Sequence, residues 1–268
     1  MDSTESLSDA TSQRENNLAA ALGDCASECN RLRRELEETR RSLKAATEET
    51  QQVVYAVGHD LRAALRNVMS YSQLLQRQPM PNDETREFLG MIISGAQDMS
   101  RFIDDVLKFS RAGNSPRPTH IDLGTVAQMA LFQLDNEIRA HNAKIELGDL
   151  PEATVDESHF AQVFQQLFAN SLVYRGPEPP RIDVFAEEGP DGYIISVQDN
   201  GIGLKPEFSE IIFMPFKRLH GKERPGNGLG LAICRKILRL RGGTIWAESD
   251  GERGATFKFT IPYEYNRN

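Results

Sequence analysis

The sequence predicts a mixed architecture, an all-helical N-terminal half followed by an α/β domain. Three observations predict it. Apolar residues recur at alternating 3-4 spacing from Leu18 to Val57, the pattern of a coiled coil. Two amphipathic helical stretches follow, separated by the breaker Pro79-Met80-Pro81-Asn82-Asp83. From Thr119 to about Tyr263, helical and strand patterns alternate. A chain of 268 residues with 39% hydrophobic content holds two modest cores plus an extension.

Composition excludes several classes. The net charge of −8 argues against non-specific nucleic-acid binding. No apolar run approaches the ~20 residues of a membrane helix, and no signal-peptide pattern opens the chain. A cytoplasmic chain without a membrane span is the expectation. Three cysteines, Cys25, Cys29 and Cys234, do not make a disulfide framework.

Residues 1–13 are rich in Ser, Thr, Asp and Glu, and a disordered tail is expected there. Residues 14–50 carry the heptad. Leu22, Cys29, Leu36, Leu43, Thr50 and Val57 fall at a, and Leu18, Cys25, Leu32, Thr39, Ala46 and Val53 at d. Glu28 and Glu35 at g face Arg33 and Arg40 at the following e, which suits a parallel dimer. Thr39, Ala46 and Thr50 weaken the seam. Two readings fit it: a fixed dimerisation rod, or a signal helix whose register shifts. Cys25 and Cys29 behave as small hydrophobes at core positions, with a redox or metal role as the other reading.

Residues 51–112 form a predicted helical hairpin. In its first helix Val57, Leu61, Ala64, Leu65, Val68, Tyr71, Ser72 and Leu75 make the stripe expected to be buried. His59 lies off that stripe with Arg62, Arg66 and Asn67, and Asp60 follows it. A histidine beside an acid on a wet face can serve as nucleophile, being partly neutral near pH 7; taken alone, it is equally a surface histidine. The second helix, Glu84 to Ala112, has Phe88, Met91, Ile92, Gly95, Met99, Phe102, Ile103, Val106 and Phe109 as its stripe. One hairpin cannot bury both stripes, so two hairpins pairing as a dimeric four-helix bundle are expected. Residues 113–118, Gly-Asn-Ser-Pro-Arg-Pro, read as a linker.

Residues 119–268 form the predicted α/β sandwich. Helices fit Asp122 to Ala140, Asp156 to Tyr174 and Gly228 to Arg241. Strands fit Lys144 to Leu147, Arg181 to Glu187, Tyr193 to Asp199, Thr244 to Glu248 and Ala255 to Ile261. Asp199 ends a strand in the run Asp-Asn-Gly-Ile-Gly. Phe213 and Phe216 precede a short polar stretch, Gly221 to Pro225, holding Lys222 and Arg224. Gly226, Gly228 and Gly230 then open a helix, where missing side chains let phosphates reach backbone N–H groups at a positive helix end.

With the His59 stretch and these glycine-containing boxes in order, the chain resembles the catalytic core of sensor histidine kinases. It is most similar to the phytochrome-like bacterial subgroup, over roughly Gln51 to Pro262. The resemblance implies a GHKL-type ATP-binding domain, the fold shared with gyrase and MutL, and the cofactors ATP and Mg²⁺. It implies autophosphorylation of His59, with Asp60 orienting or deprotonating the imidazole. The phosphoryl group would then pass to an aspartate of a response-regulator receiver domain. Asn170, in Phe-Ala-Asn-Ser-Leu, matches the Mg²⁺ ligand, with Tyr174 and Arg175 beside it. Asp199 matches the acceptor of the adenine amino group, and Gly201 and Gly203 the turn beneath the purine. Lys222 and Arg224 are expected on the γ-phosphate, and Gly226, Gly228, Gly230 and Leu231 around the phosphates. Gly254-Ala255-Thr256 matches the last box, which adds Thr256 to the nucleotide set. Gln166 and Val173 depart from the family, replacing an asparagine and a lysine, and Arg175 is positioned to supply the missing charge. Ala63 stands where relatives that dephosphorylate their partner carry Thr or Asn, and Ala64 where proline is usual; a kinase-biased enzyme is implied. A homodimer is expected, with a separate sensor domain or protein supplying the signal. The alternatives are a degenerate kinase acting as a dimeric nucleotide-binding scaffold, and a conformational ATPase.

Overall fold

The structure is a computed structural model that describes residues 2–78, 82–113, 117–219, 224 and 226–263; the side chains of residues 2–27 and 44 lie outside the description. The chain divides into two compact units, residues 1–56 and 57–268.

Helix α1 spans Asp2–Gln76. It therefore includes the segment 2–13 for which composition predicts disorder. The segment holds no Pro or Gly, and Glu5, Leu7, Ala10 and Gln13 are good helix formers among its Ser, Thr and Asp. Within the first unit, Leu32, Leu36, Leu43 and Val53 of the heptad are exposed. The hydroxyls of Thr39, Thr47 and Thr50 each donate at 2.8 Å to the carbonyl four residues back. Glu28 and Glu35 both pair with Arg31 of their own helix, so the cross-chain partners expected for them meet local competition.

In the second unit, α1 and α2 (Asp83–Arg111) form the hairpin. Asn82 caps α2 by accepting from the Thr85 N–H at 2.8 Å. The faces differ from the sequence expectation. Within the hairpin, Gly58 and Ser72 of α1 are buried, as are Leu89, Ala96, Ile103 and Leu107 of α2. Gly58 lies directly on Leu107, whose side chain a Cβ there would meet at 2.9 Å. Of the expected stripes, Val57, Leu61, Val68, Tyr71 and Leu75 on α1 and Phe88, Met91, Ile92, Met99 and Phe102 on α2 are exposed in the single chain. The physical reason is that each helix carries two adjoining heptad stripes. One faces the hairpin partner, and the other has nothing among the described residues to cover it.

The α/β part begins with β1 (Thr119–Asp122), which pairs antiparallel with β3 (Glu152–Val155) as a separate ribbon. Sequence periodicity did not give these four-residue strands. Asp122 caps α3 (Leu123–Gln133), accepting from the Thr125 N–H at 2.8 Å. The helix expected over Asp122–Ala140 breaks at Leu134, after which α4 (Asp135–Ala140) starts afresh. The main sheet has order β2-β4-β5-β7-β6, made of β2 (Lys144–Leu147), β4 (Arg181–Glu188), β5 (Gly192–Asp199), β7 (Ala255–Pro262) and β6 (Ile245–Glu248). Only β2–β4 is parallel among these pairs. Helices α5 (Glu157–Val173) and α6 (Gly230–Arg239) pack against it.

The core is aromatic. Phe164 of α5 lies 5.8 Å from both Phe168 and Phe259, and Phe160 lies 6.3 Å from Phe259. Strand β7 alternates, with Ala255, Phe257, Phe259 and Ile261 buried and Thr256, Lys258 and Thr260 half-buried on the other side. Cys234 is fully buried on α6, its Sγ 3.8 Å from the Val163 carbonyl, and burial pushes its thiol up to about 12. Asp156 caps α5 and also accepts from the Arg117 N–H at 2.6 Å, tying the incoming chain to the helix start.

Candidate functional site

The site is built where the C-terminal ends of α5 and β5 meet the start of α6. A cavity of about 220 Å³ opens there. Asn170, Val173 and Tyr174 come from the end of α5, and Asp199 from the end of β5. Gly226, Gly228 and Gly230 come from the turn into α6, and Lys217 and Arg218 follow Phe216.

Asp199 is the residue of the cavity wall whose surroundings shift its pKa. Its Oδ1 accepts from the N–H of Gly201 at 2.8 Å and of Ala255 at 3.2 Å. Burial, the largest cause, raises its pKa above the ordinary carboxylate range, and the hydrogen bonds from Gly201, Ser171 and Ala255 pull the other way. The turn after it depends on glycine. A Cβ on Gly201 would sit 2.6 Å from the Tyr174 carbonyl, and Gly203 adopts φ +75°.

The opposite end is a helix start with no side-chain cap. Leu229 occupies the cap position of α6 and makes no side-chain bond, so the first N–H groups of α6 are left for a ligand. Gly228 has φ +69°, and a Cβ there would meet the Lys217 carbonyl at 2.6 Å. A Cβ on Gly230 would meet Gln166 Oε1 at 2.4 Å, so Gln166 packs against the helix start.

One pocket residue belongs to the hairpin. Asp105 of α2 lines the cavity. Two further contacts hold α2 beside it. Lys236 Nζ donates to the carbonyls of Phe109 at 2.8 Å and Ser110 at 2.9 Å, and burial lowers the Lys236 pKa. Phe102 lies 5.8 Å from Phe216 between ring centroids.

Several sequence expectations land elsewhere. Thr256 does not line the cavity, because the alternation of β7 turns it to the far side of the sheet, where it borders a shallow depression with Glu248, Asp250 and Arg253. Ala255 and Phe257 line the cavity in its place. Arg175 turns back to the Leu172 carbonyl at 3.0 Å and is absent from the lining, as is Gly201. The Arg224 guanidinium donates to the Val173 carbonyl and stacks over Tyr174, 5.5 Å from its ring centroid. Lys222 lies outside the described residues. Asn170, Tyr174, Asp199, Gly203, Gly226, Gly228, Gly230 and Leu231 share the cavity wall. Sequence reasoning missed Asp105, Lys217, Arg218 and Asn227. The adjacent cations directly after the phenylalanine box were a readable signal; Asp105 had none.

His59 is exposed on α1, its Nδ1 3.2 Å from Asp60 Oδ1. It is not part of the cavity wall. Arg62, one turn on, forms an ion pair with Asp104 of α2.

A half-buried carboxylate at one end of a mainly apolar cavity suits the amino group of a base. Glycines, an open helix start and two cations at the other end suit phosphates. Among the described residues no group of three His, Cys, Asp or Glu could hold a metal alone. The oxygens of Asn170 and Asp105 fit a cation that takes its other ligands from water and phosphate, the habit of Mg²⁺.

The fold and cavity define a nucleotide-binding domain joined to a helical hairpin. Residues 49–115 match the family "His Kinase A (phospho-acceptor) domain", and residues 155–265 match "Histidine kinase-, DNA gyrase B-, and HSP90-like ATPase". The chain therefore carries the catalytic core of a sensor histidine kinase. It is 35% identical over 232 residues to "Phytochrome-like protein Cph1" of Synechocystis, a match covering 85% of this chain and 31% of that protein. It is 37% identical over 232 residues to "Cyanobacterial phytochrome A" of Nostoc, covering 85% of this chain and 30% of that one. The chain thus spans about a third of these relatives. Among solved structures, full-length ShkA in complex with AMPPNP has TM-score 0.63 at 22% identity, covering 80% of this chain and 46% of that one. Histidine kinase ThkA in complex with response regulator protein TrrA has TM-score 0.57 at 21% identity, covering 81% and 63%.

Proposed function

We propose that the chain is an ATP-dependent protein-histidine kinase of a two-component system, which phosphorylates His59 and passes the phosphoryl group to a response-regulator aspartate. The observation that carries this reading is the cavity with Asp199 at one end and the uncapped, glycine-opened start of α6 at the other. Asp199 accepts the amino group of adenine. Lys217, Arg218 and the N–H groups of α6 hold the phosphates, and Asn170 offers its amide oxygen to Mg²⁺. When bound, Mg²⁺ neutralises phosphate charge. Asp60 accepts the Nδ1–H of His59, which leaves Nε2 with its lone pair free to attack the γ-phosphorus in line. The bond from that phosphorus to the bridging oxygen breaks, and ADP leaves.

The uncovered heptad stripes of α1 and α2 support a homodimer in which two hairpins make a four-helix bundle. The ThkA complex supports a receiver domain as partner. No helix among the described residues is long and apolar enough to cross a membrane.

The deciding experiment is incubation with γ-labelled ATP and Mg²⁺. The wild type is expected to gain acid-labile phosphate, and His59→Gln to gain none while binding ADP unchanged. Nucleotide binding without any phosphoprotein would instead indicate a nucleotide-sensing scaffold.

A further inference from the structure

Ser171 lies on α5 behind Asp199. It is 3% exposed, and its hydroxyl is 3.1 Å from Asp199 Oδ2 and 3.2 Å from the Leu167 carbonyl. Ser171 does not touch the cavity, whereas Asp199 does. The two carboxylate oxygens are unequally furnished. Oδ1 faces two backbone N–H donors, those of Gly201 and Ala255, which no side-chain substitution removes. Oδ2 has the Ser171 hydroxyl and spare acceptor capacity. A proton on this carboxyl goes to Oδ2, because Oδ1 already faces two backbone donors. Protonation therefore turns Oδ2 from acceptor into donor.

We propose that Ser171 is a positioning residue for Asp199: by donating to Oδ2 it holds that oxygen as an acceptor and makes the cavity select a 6-aminopurine nucleotide over a 6-oxopurine nucleotide. The proposal rests on the reading of Asp199 as the base-recognising group and names what tunes it. The amino group of adenine donates to Oδ2. The 6-oxo group of hypoxanthine presents lone pairs to the same oxygen, which a buried carboxylate repels. Without the hydroxyl, Oδ2 loses its protein donor and the neutral carboxyl is favoured. The neutral form donates to a 6-oxo group, so the loss falls on adenine.

The test uses the full chain with Mg²⁺, titrated with ADP and with IDP in a calorimeter. In Ser171→Ala the ADP dissociation constant is expected to rise about tenfold, the size of one hydrogen bond to a charged group, while that for IDP changes less than about twofold. Ser171→Thr keeps the hydroxyl and is expected to restore the preference. In autophosphorylation, Ser171→Ala is expected to raise KM for ATP with kcat nearly unchanged. Wild-type ADP binding in Ser171→Ala, or equal loss of ADP and IDP, overturns the proposal. Ser171→Cys keeps the volume with a weak donor; it should lose preference in the same direction, and an unaltered ratio in a folded sample also overturns the proposal. Asp199→Asn separates the two levels. If it leaves the ADP preference intact, the base-recognition reading fails and this proposal with it. If Asp199→Asn abolishes the preference and Ser171→Ala does not, only the role of Ser171 falls.

Discussion

The side-chain amide of Asn227 donates to Asp105 Oδ2 at 2.7 Å, joining the glycine-rich turn before α6 to the second hairpin helix. The bond places a hairpin carboxylate on the wall of the nucleotide cavity, among the glycines expected to meet phosphates. A phosphate and this carboxylate repel each other unless a cation lies between them. Asp105→Ala is expected to tighten ADP binding about threefold to tenfold without Mg²⁺, with the difference shrinking as salt rises. Titration of ADP at two ionic strengths checks this. Weaker binding in the variant would show Asp105 to be a ligand-holding group.

The Asp199 carboxyl predicts a trade between stability and binding. Its pKa is raised in the folded chain, chiefly by burial. The folded state therefore holds the proton more tightly than the unfolded state. The cost is absent below the unfolded carboxyl value, grows as pH rises through the window up to the folded value, and is full above it. Asp199→Asn keeps an oxygen for Gly201 and Ala255 and removes the charge. Its Tm at pH 7 is expected to exceed the wild type, by about 2–4 °C for each kcal/mol relieved. The advantage should vanish in acid, and adenine binding should be lost. Calorimetric scans across pH test the sign, and a lower Tm at pH 7 would refute it.

The uncovered stripe of the hairpin should govern association. Val57, Leu61, Val68, Tyr71 and Leu75 recur at helical spacing and are exposed in the single chain. Leu61→Lys with Val68→Lys is expected to shift sedimentation toward the monomer while ADP affinity stays within about twofold, since neither residue lines the cavity. Deleting residues 1–50 should weaken the dimer without abolishing it. A monomer from that deletion alone would place the whole association energy in the heptad segment.

Ala63 and Ala64 lie in an unbroken stretch of α1, one turn past His59. Neither has a polar side-chain atom to orient a water. The chain is expected to dephosphorylate a phosphorylated regulator no faster than the regulator's own decay, measured with ADP and no ATP in His59→Ala, which blocks back-transfer. Rapid decay in that mixture would refute the bias. Ala63→Thr is the variant expected to add activity.

What was legible in the sequence follows from range. Strand β2 came out with its observed ends, because Lys144–Leu147 is short, alternating and flanked by polar turns. The ribbon of β1 and β3 did not, since β1 has no alternation, β3 alternates over only four residues, and their pairing of Thr119 with Val155 is long-range. The hairpin stripes were found but not separated: two heptads one residue apart look like one broad face until the partner helix is in place. Most of the cavity glycines were readable from their boxes. Thr256 was misplaced by parity, one residue along β7 from the two that face inward. Asp105 was out of reach, because its partner Asn227 lies more than a hundred residues away and only the packing of α2 on α6 brings them together.

The burial of Cys234 makes the domain its own clock. A thiol with no exposure and a pKa pushed up to about 12 cannot react with an alkylating reagent at neutral pH while α6 stays seated. Cys29, by contrast, is exposed in the single chain. The rate at which Cys234 acquires label therefore counts openings of the catalytic core, in a native sample and without denaturant. Saturating nucleotide should slow that rate in proportion to its occupancy.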